Sequence, residues 1–139
     1  MRILSIDLGK ARTGLAVCDE GEYLASPAGV LEEYNRDKLL LRIAAEAEKH
    51  RAEMLVVGLP RNMDGSEGEA AQGAREFAGR LEEKTGLPVR LWDERGTTIT
   101  AHGYLNATDT RGKKRKAVVD AVAATIILED YLQYRKNHR

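Results

Sequence analysis

The sequence predicts an α/β fold built on one mixed sheet with helices on both faces. Three observations carry that expectation. Residues 2–8, RILSIDL, form a nearly continuous apolar run, the pattern of a strand buried on both sides. Two further strand-like segments follow with no helical segment between them, so they pair as antiparallel neighbours. Beyond residue 35, segments of helical period alternate with short apolar runs, and strands joined through helices lie parallel.

In chain order the expected arrangement is βββ-α-β-α-β-α-α. Gly9 and Gly14 bracket a short turn, residues 15–18 read as the second strand, and residues 23–31 as the third. Asn35 can cap a helix in which Leu39, Leu40, Ile43, Ala44 and Ala47 recur at helical spacing. Residues 54–58 are a short buried strand. The loop LPRNMDGSEGE then carries the turn pair Asp64 and Gly65, and Ser66 with Glu69 has the spacing of a capping box. The next helix puts Ala70, Ala74, Phe77, Ala78 and Leu81 on one face, and Gly86 with Pro88 ends it. Residues 89–92 are the last strand and run into Asp93, Glu94 and Arg95. Thr97 or Thr98 caps a modest helix to about Leu105, and a basic loop, TDTRGKKRK, precedes a final helix over residues 117–134.

The 139 residues suit one domain, with no repeat, low-complexity tract or linker. Lys plus Arg and Asp plus Glu both number 22, so the distribution of charge, not its sum, must argue for or against nucleic acid. Cys18 is the only cysteine, which excludes an intramolecular disulfide and a cysteine zinc site and leaves it as a small core residue. Asp7 interrupts the opening apolar run too early for a signal peptide, and no stretch approaches the ~20 apolar residues of a membrane span. A cytoplasmic location without a membrane partner is therefore expected.

Carboxylates stand in unusual surroundings at three places. Asp7 ends a buried strand, where an ionised group needs a cation or hydrogen bonds, and ligands gather beyond the carboxyl ends of such strands. Asp120 is the one charged residue in AVVDAVAATIIL, and its helix-face neighbours are Ala117, Ala123, Ala124 and Ile127. Glu94 and Asp93 follow the last strand, and either can point into the crevice because consecutive strand residues face opposite ways. Oxygen-rich sites of this kind suit Mg²⁺ or Mn²⁺, and two such ions about 3.5–4 Å apart can activate water for phosphodiester hydrolysis. His50, His102 and His138 are scattered and offer no alternative nucleophile or base. Arg111, Lys113, Lys114, Arg115 and Lys116 form the densest cationic cluster, directly before the helix that carries Asp120. With Lys10, Arg12, Arg61, Asn62 and Arg95 they make up the candidate nucleic-acid contacts.

Four segments, RILSIDLGKARTGLAV, VVGLPRNMDGSEG, LWDERGTT and KKRKAVVDAVAATIILEDYL, together span nearly the whole chain. In these the sequence resembles the YqgF family, also called RuvX, whose members are described as pre-16S rRNA nucleases and as Holliday-junction resolvase-like. The resemblance implies an RNase H-like fold with strand order 3-2-1-4-5 and strand 2 antiparallel. It implies a site for Mg²⁺ or Mn²⁺, with two ions, at Asp7, Glu94 and Asp120, Asp93 being a further candidate. The implied substrate is an RNA precursor, within or outside a pre-ribosomal particle, or branched DNA. Gly96 departs from the leucine that usually follows the DER segment. Two other readings compete with this one. DLGKARTG also looks like the phosphate-binding turn of actin-like ATPases, but those need two related halves, which 139 residues cannot supply. A non-catalytic nucleic-acid-binding module for ribosome assembly fits the scaffold, but the three retained carboxylates argue against it.

Overall fold

The structure is a computed structural model that describes residues 1–62, 64–93 and 112–138, with residues 112–120 described as backbone. Five strands form one sheet: β1 (Ile3–Asp7), β2 (Arg12–Cys18), β3 (Ala25–Glu32), β4 (Met54–Leu59) and β5 (Val89–Asp93). Among the described residues three helices join or cover them: α1 (Arg36–Lys49), α2 (Glu69–Thr85) and α3 (Gly112–Asn137). The strand order is β3-β2-β1-β4-β5, with β2 antiparallel to both neighbours and β1, β4 and β5 mutually parallel. That is the order the family resemblance implies.

Alternation along β1 divides the core. Leu4 and Ile6 pack with Leu55, Val57 and Leu59 beneath α1 and α2, which contribute Leu39, Ile43, Ala74, Phe77 and Leu81. Ile3 faces the other way, with Ala16, Cys18 and Val56, beneath Ala124, Ile127 and Leu128 of α3. Ser5 shares that face, and its buried hydroxyl donates to the Ala124 carbonyl at 2.7 Å. Cys18 is buried, as expected for a core residue, and burial pushes its thiol pKa up.

Local chemistry explains the element boundaries. Asn35 caps α1, its side chain accepting from the Lys38 amide at 3.0 Å. Gly86 closes α2 in the left-handed region, φ 72°, and donates to the Glu82 carbonyl. Gly9 is required in the β1–β2 turn, because a Cβ there would lie 2.1 Å from the Arg12 carbonyl oxygen.

Four expectations are corrected. Gly14 lies inside β2 opposite Asp7 and is no turn residue, so β2 starts at Arg12. Tyr23 and Leu24 lie before β3, because both amides donate to Asp19 Oδ1, at 2.7 and 3.1 Å, and close a turn. Ser66 forms no capping box: Gly68 is the N-cap of α2, with no side-chain cap bond, and Ala71, not Ala70, is buried. Finally, residues 113–116 belong to α3 and not to a loop. Lys and Arg favour helix, and a polar first turn carries no apolar period by which to recognise it. The expected helix from Thr97 or Thr98 to Leu105 lies outside the described residues.

Candidate active site at the carboxyl edge of the sheet

The parallel register, Ile6 beside Val57 and Val57 beside Leu91, brings the carboxyl ends of β1, β4 and β5 to one edge. Asp7 is the last residue of β1 and is half-buried. By alternation it shares the α3 face with Ile3 and Ser5, and its antiparallel partner is Gly14, which adds no side chain beside the carboxylate.

Helix α3 runs antiparallel to β1. Ala124 is tied to Ser5, Tyr131 Oη donates to Met54 Sδ at 3.4 Å, and Arg135 grips Glu22 beyond the far end of β2 at 2.6 Å. One helical turn before Ala124 is position 120, roughly 6 Å towards the carboxyl edge, and two residues after Ser5 is Asp7, roughly 6.6 Å in the same direction. The backbone at 120 therefore comes level with Asp7 on the same face of the sheet. The side chain of Asp120, and Glu94, Arg95, His102 and Arg111 altogether, lie outside the described residues. Among the described residues no three His, Cys, Asp or Glu side chains form a metal-binding group.

Asp93 is placed differently from Asp7. It pairs with Leu59, whose side chain belongs to the core under α1 and α2, so Asp93 lies on the opposite face. Its Oδ2 is 3.7 Å from Arg61 Nη1, while Arg61 Nη2 is 3.3 Å from Glu67 Oε2. Glu67 is forked in turn by Arg75, whose Nε and Nη2 each donate at 2.8 Å. Asn62 is absorbed by the same loop: its amide donates to the Ser66 carbonyl at 2.9 Å, its carbonyl accepts from Gly65, and its Nδ2 donates to Ser66 Oγ. Nothing in the spacing marked the Glu67–Arg75 clamp, since the two residues sit on different elements and meet only when the loop folds onto α2.

The Arg75 hydrogen bonds and the nearby Arg61 charge lower the Glu67 pKa from 4.5 to about 2. A depressed carboxylate contributes stability above its unfolded pKa and loses it as pH falls through the folded one. Glu67→Gln is therefore expected to lower the urea midpoint of unfolding at pH 7. The gap to the parent should shrink progressively between pH 4.5 and about 2. A gap independent of pH would show that the carboxylate charge is not the source.

The remaining polar candidates divide clearly. Lys10 is exposed in the β1–β2 turn, which Arg36 Nη1 pins through the Gly9 carbonyl at 3.0 Å. Arg12 opens β2 opposite Glu32 at the same edge. Lys113, Lys114, Arg115 and Lys116 occupy the start of α3. His50 lies 3.3 Å from Glu46, one turn away, and His138 stacks on Tyr134, so each has a local partner on α3 or α1 and neither is at this edge.

The chain matches the family described as RuvX: Holliday junction resolvase over residues 1–134. It is 39% identical over 135 residues to a protein of Halothermothrix orenii, covering 97% of this chain and 96% of that one. It is 43% identical over 135 residues to one from Anaeromyxobacter sp., covering 97% and 98%. Both relatives bear the name "Putative pre-16S rRNA nuclease". Among solved structures, Thermus thermophilus RuvC in complex with a Holliday junction substrate aligns with a TM-score of 0.63 at 15% identity, over 99% of this chain and 96% of that one. The fowlpox virus Holliday junction resolvase aligns at 0.57 and 13% identity, over 96% and 99%. These structural likenesses establish an RNase H-like fold.

Proposed function

The chain belongs to the RuvX family, and from that premise we propose that it is a divalent-metal-dependent nuclease that trims the 5′ end of precursor 16S rRNA. The observation that carries the reading is the placement of Asp7, half-buried at the carboxyl edge, level with backbone position 120 and facing the same helix layer. The oxygen donors of Asp7, Glu94 and Asp120 fit Mg²⁺ or Mn²⁺ by their chemistry, and Gly14, the strand partner of Asp7, carries no side chain. Bound there, one or two ions would lower the pKa of water and stabilise the leaving oxygen. Asp93, on the other face and paired with Arg61, is not a ligand in this reading.

The protein's own contribution is placement. The β1 backbone holds Asp7 rigid, α3 carries Asp120 to it, and the cations at the edge bind phosphates. Four consecutive cations in the first turns of α3, with no acidic residue there, oppose the helix dipole. A phosphate backbone at that helix start relieves the conflict. Pre-ribosomal particles are the natural context for such a substrate, and the cytoplasm its location. No helix among the described residues is long and apolar enough to cross a membrane.

The test is cleavage of a precursor 16S rRNA fragment and of a four-way DNA junction, with Mg²⁺, with Mn²⁺ and with chelator. Metal-dependent cleavage of the RNA is expected; preferential cleavage of the junction would favour the resolvase activity in the family's description. Binding without cleavage under any metal would leave a non-catalytic assembly module. Replacing Lys113, Lys114 and Lys116 by Gln should weaken binding to all sequences alike. It should also flatten the dependence of log K on log salt by up to ~0.7 per lost contact on single strands. An unchanged slope would remove these lysines from the interface.

A further inference from the structure

We infer that Arg61 is a positioning residue: it bolts the carboxyl end of β5 to the loop preceding α2, and so sets the point from which the chain leaves the sheet after Asp93. The catalytic consequence rests on the nuclease reading above; the structural premise does not. Arg61 spans two carboxylates, Asp93 at 3.7 Å and Glu67 at 3.3 Å, and Glu67 is held from its other side by the Arg75 fork on α2. The Arg61 backbone is itself fixed, through a bridge to Glu67 and the Asn62–Ser66 hydrogen bond. A continuous chain of charge pairs therefore runs from α2 to the last residue of β5.

The position explains why such a brace is useful. Among the described residues β5 is an edge strand paired with β4, and Asp93–Leu59 is the last pair described in that ladder. A one-residue slip in a strand moves every side chain to the other face. Holding Asp93 on the α1/α2 face fixes the register from which Glu94, the next residue in the chain, departs. Arg61 already divides its guanidinium between two carboxylates, so a phosphate would have to compete with both for it.

Arg61→Met keeps much of the side chain's length and removes the fork. With the nuclease in Mn²⁺, we expect KM for the RNA within about twofold of the parent and an unchanged salt slope. The turnover number should fall ~10–100-fold and the Mn²⁺ dissociation constant from calorimetry rise by a similar factor, the usual effect of losing a group that orients a ligand. Amide exchange at residues 91–93 should accelerate while that of Ser5 and Val56 does not. Arg61→Lys, which retains charge but cannot bridge two carboxylates as a fork does, should shift the same quantities by less, and serves if the Met variant does not fold. A raised KM with a shallower salt slope, and with turnover and exchange unchanged, would overturn the inference and return Arg61 to phosphate binding. If the parent neither cleaves nor binds Mn²⁺, the nuclease reading fails, and the exchange rates alone decide the brace: unchanged rates at 91–93 refute it.

Discussion

Replacing Asp7 by Asn is expected to lower the rate of metal-dependent RNA cleavage by ~10²–10³-fold with the fold intact, as for loss of one preorganised electrostatic element. The substitution keeps the shape and one carbonyl oxygen but removes the charge that would hold a divalent ion. The backbone at this position pairs with Gly14, and Ile6 and Leu15 beside the pair are fully buried, so strand pairing does not depend on the carboxylate. Single-turnover cleavage at saturating Mn²⁺, with circular dichroism on the same samples, provides the measurement. A folded variant that cleaves at the parent rate would exclude Asp7 as an essential ligand, and the proposed centre would have to be rebuilt elsewhere.

The second large effect is a separation of stability from activity at position 120. If Asp120 closes a carboxylate cluster with Asp7 and Glu94, the metal-free protein holds like charges together at a cost. Asp120→Asn should then abolish cleavage yet leave the metal-free protein as stable as the parent or more so, the trade-off common at functional sites. Mg²⁺ or Mn²⁺ at a hundred times its dissociation constant should stabilise the parent by ~2.7 kcal/mol and the variant by much less. Thermal melts of both proteins with and without metal separate the cases. Strong destabilisation of the metal-free variant would instead make Asp120 part of a structural ion pair, and the catalytic assignment would lose one of its three supports.

Much of the architecture is legible in the sequence. The apolar runs at the start of the chain and around Val56 read as buried strands, and Ile3 to Ile6 and Leu55 to Val57 are fully buried between the helix layers. The Asn35 cap and the Gly86 stop rest on chemistry within a few residues, so each sits where a local reading puts it. Local patterns mislead where a residue's role depends on a distant partner. Gly14 looks like a turn residue until it is paired with Asp7 across the sheet. Ser66 has capping-box spacing, yet its hydroxyl donates to Asp64 at 2.6 Å within a loop closed by Asn62 and Gly65. The start of α3 leaves no periodic signal because its first turns are cationic, and periodicity is visible only where apolar residues mark a face.

The sequence by itself determined the fold class and the identity of the carboxylate candidates, because burial period and residue type are properties of short segments. It left open which of Asp93 and Glu94 faces Asp7, since neighbouring strand residues point to opposite sides and the register decides which is which. Only the tertiary structure decided that Asp93 lies on the α1/α2 face, because Leu59 is its partner in the ladder. In the same way, Arg61 was one more cation among the candidate nucleic-acid contacts. The folding of the loop onto α2, bringing Glu67, Arg75 and Asp93 around it, turned that cation into a brace. Such a role is set by which charges converge in space, and residues 61, 67, 75 and 93 lie on four different parts of the chain.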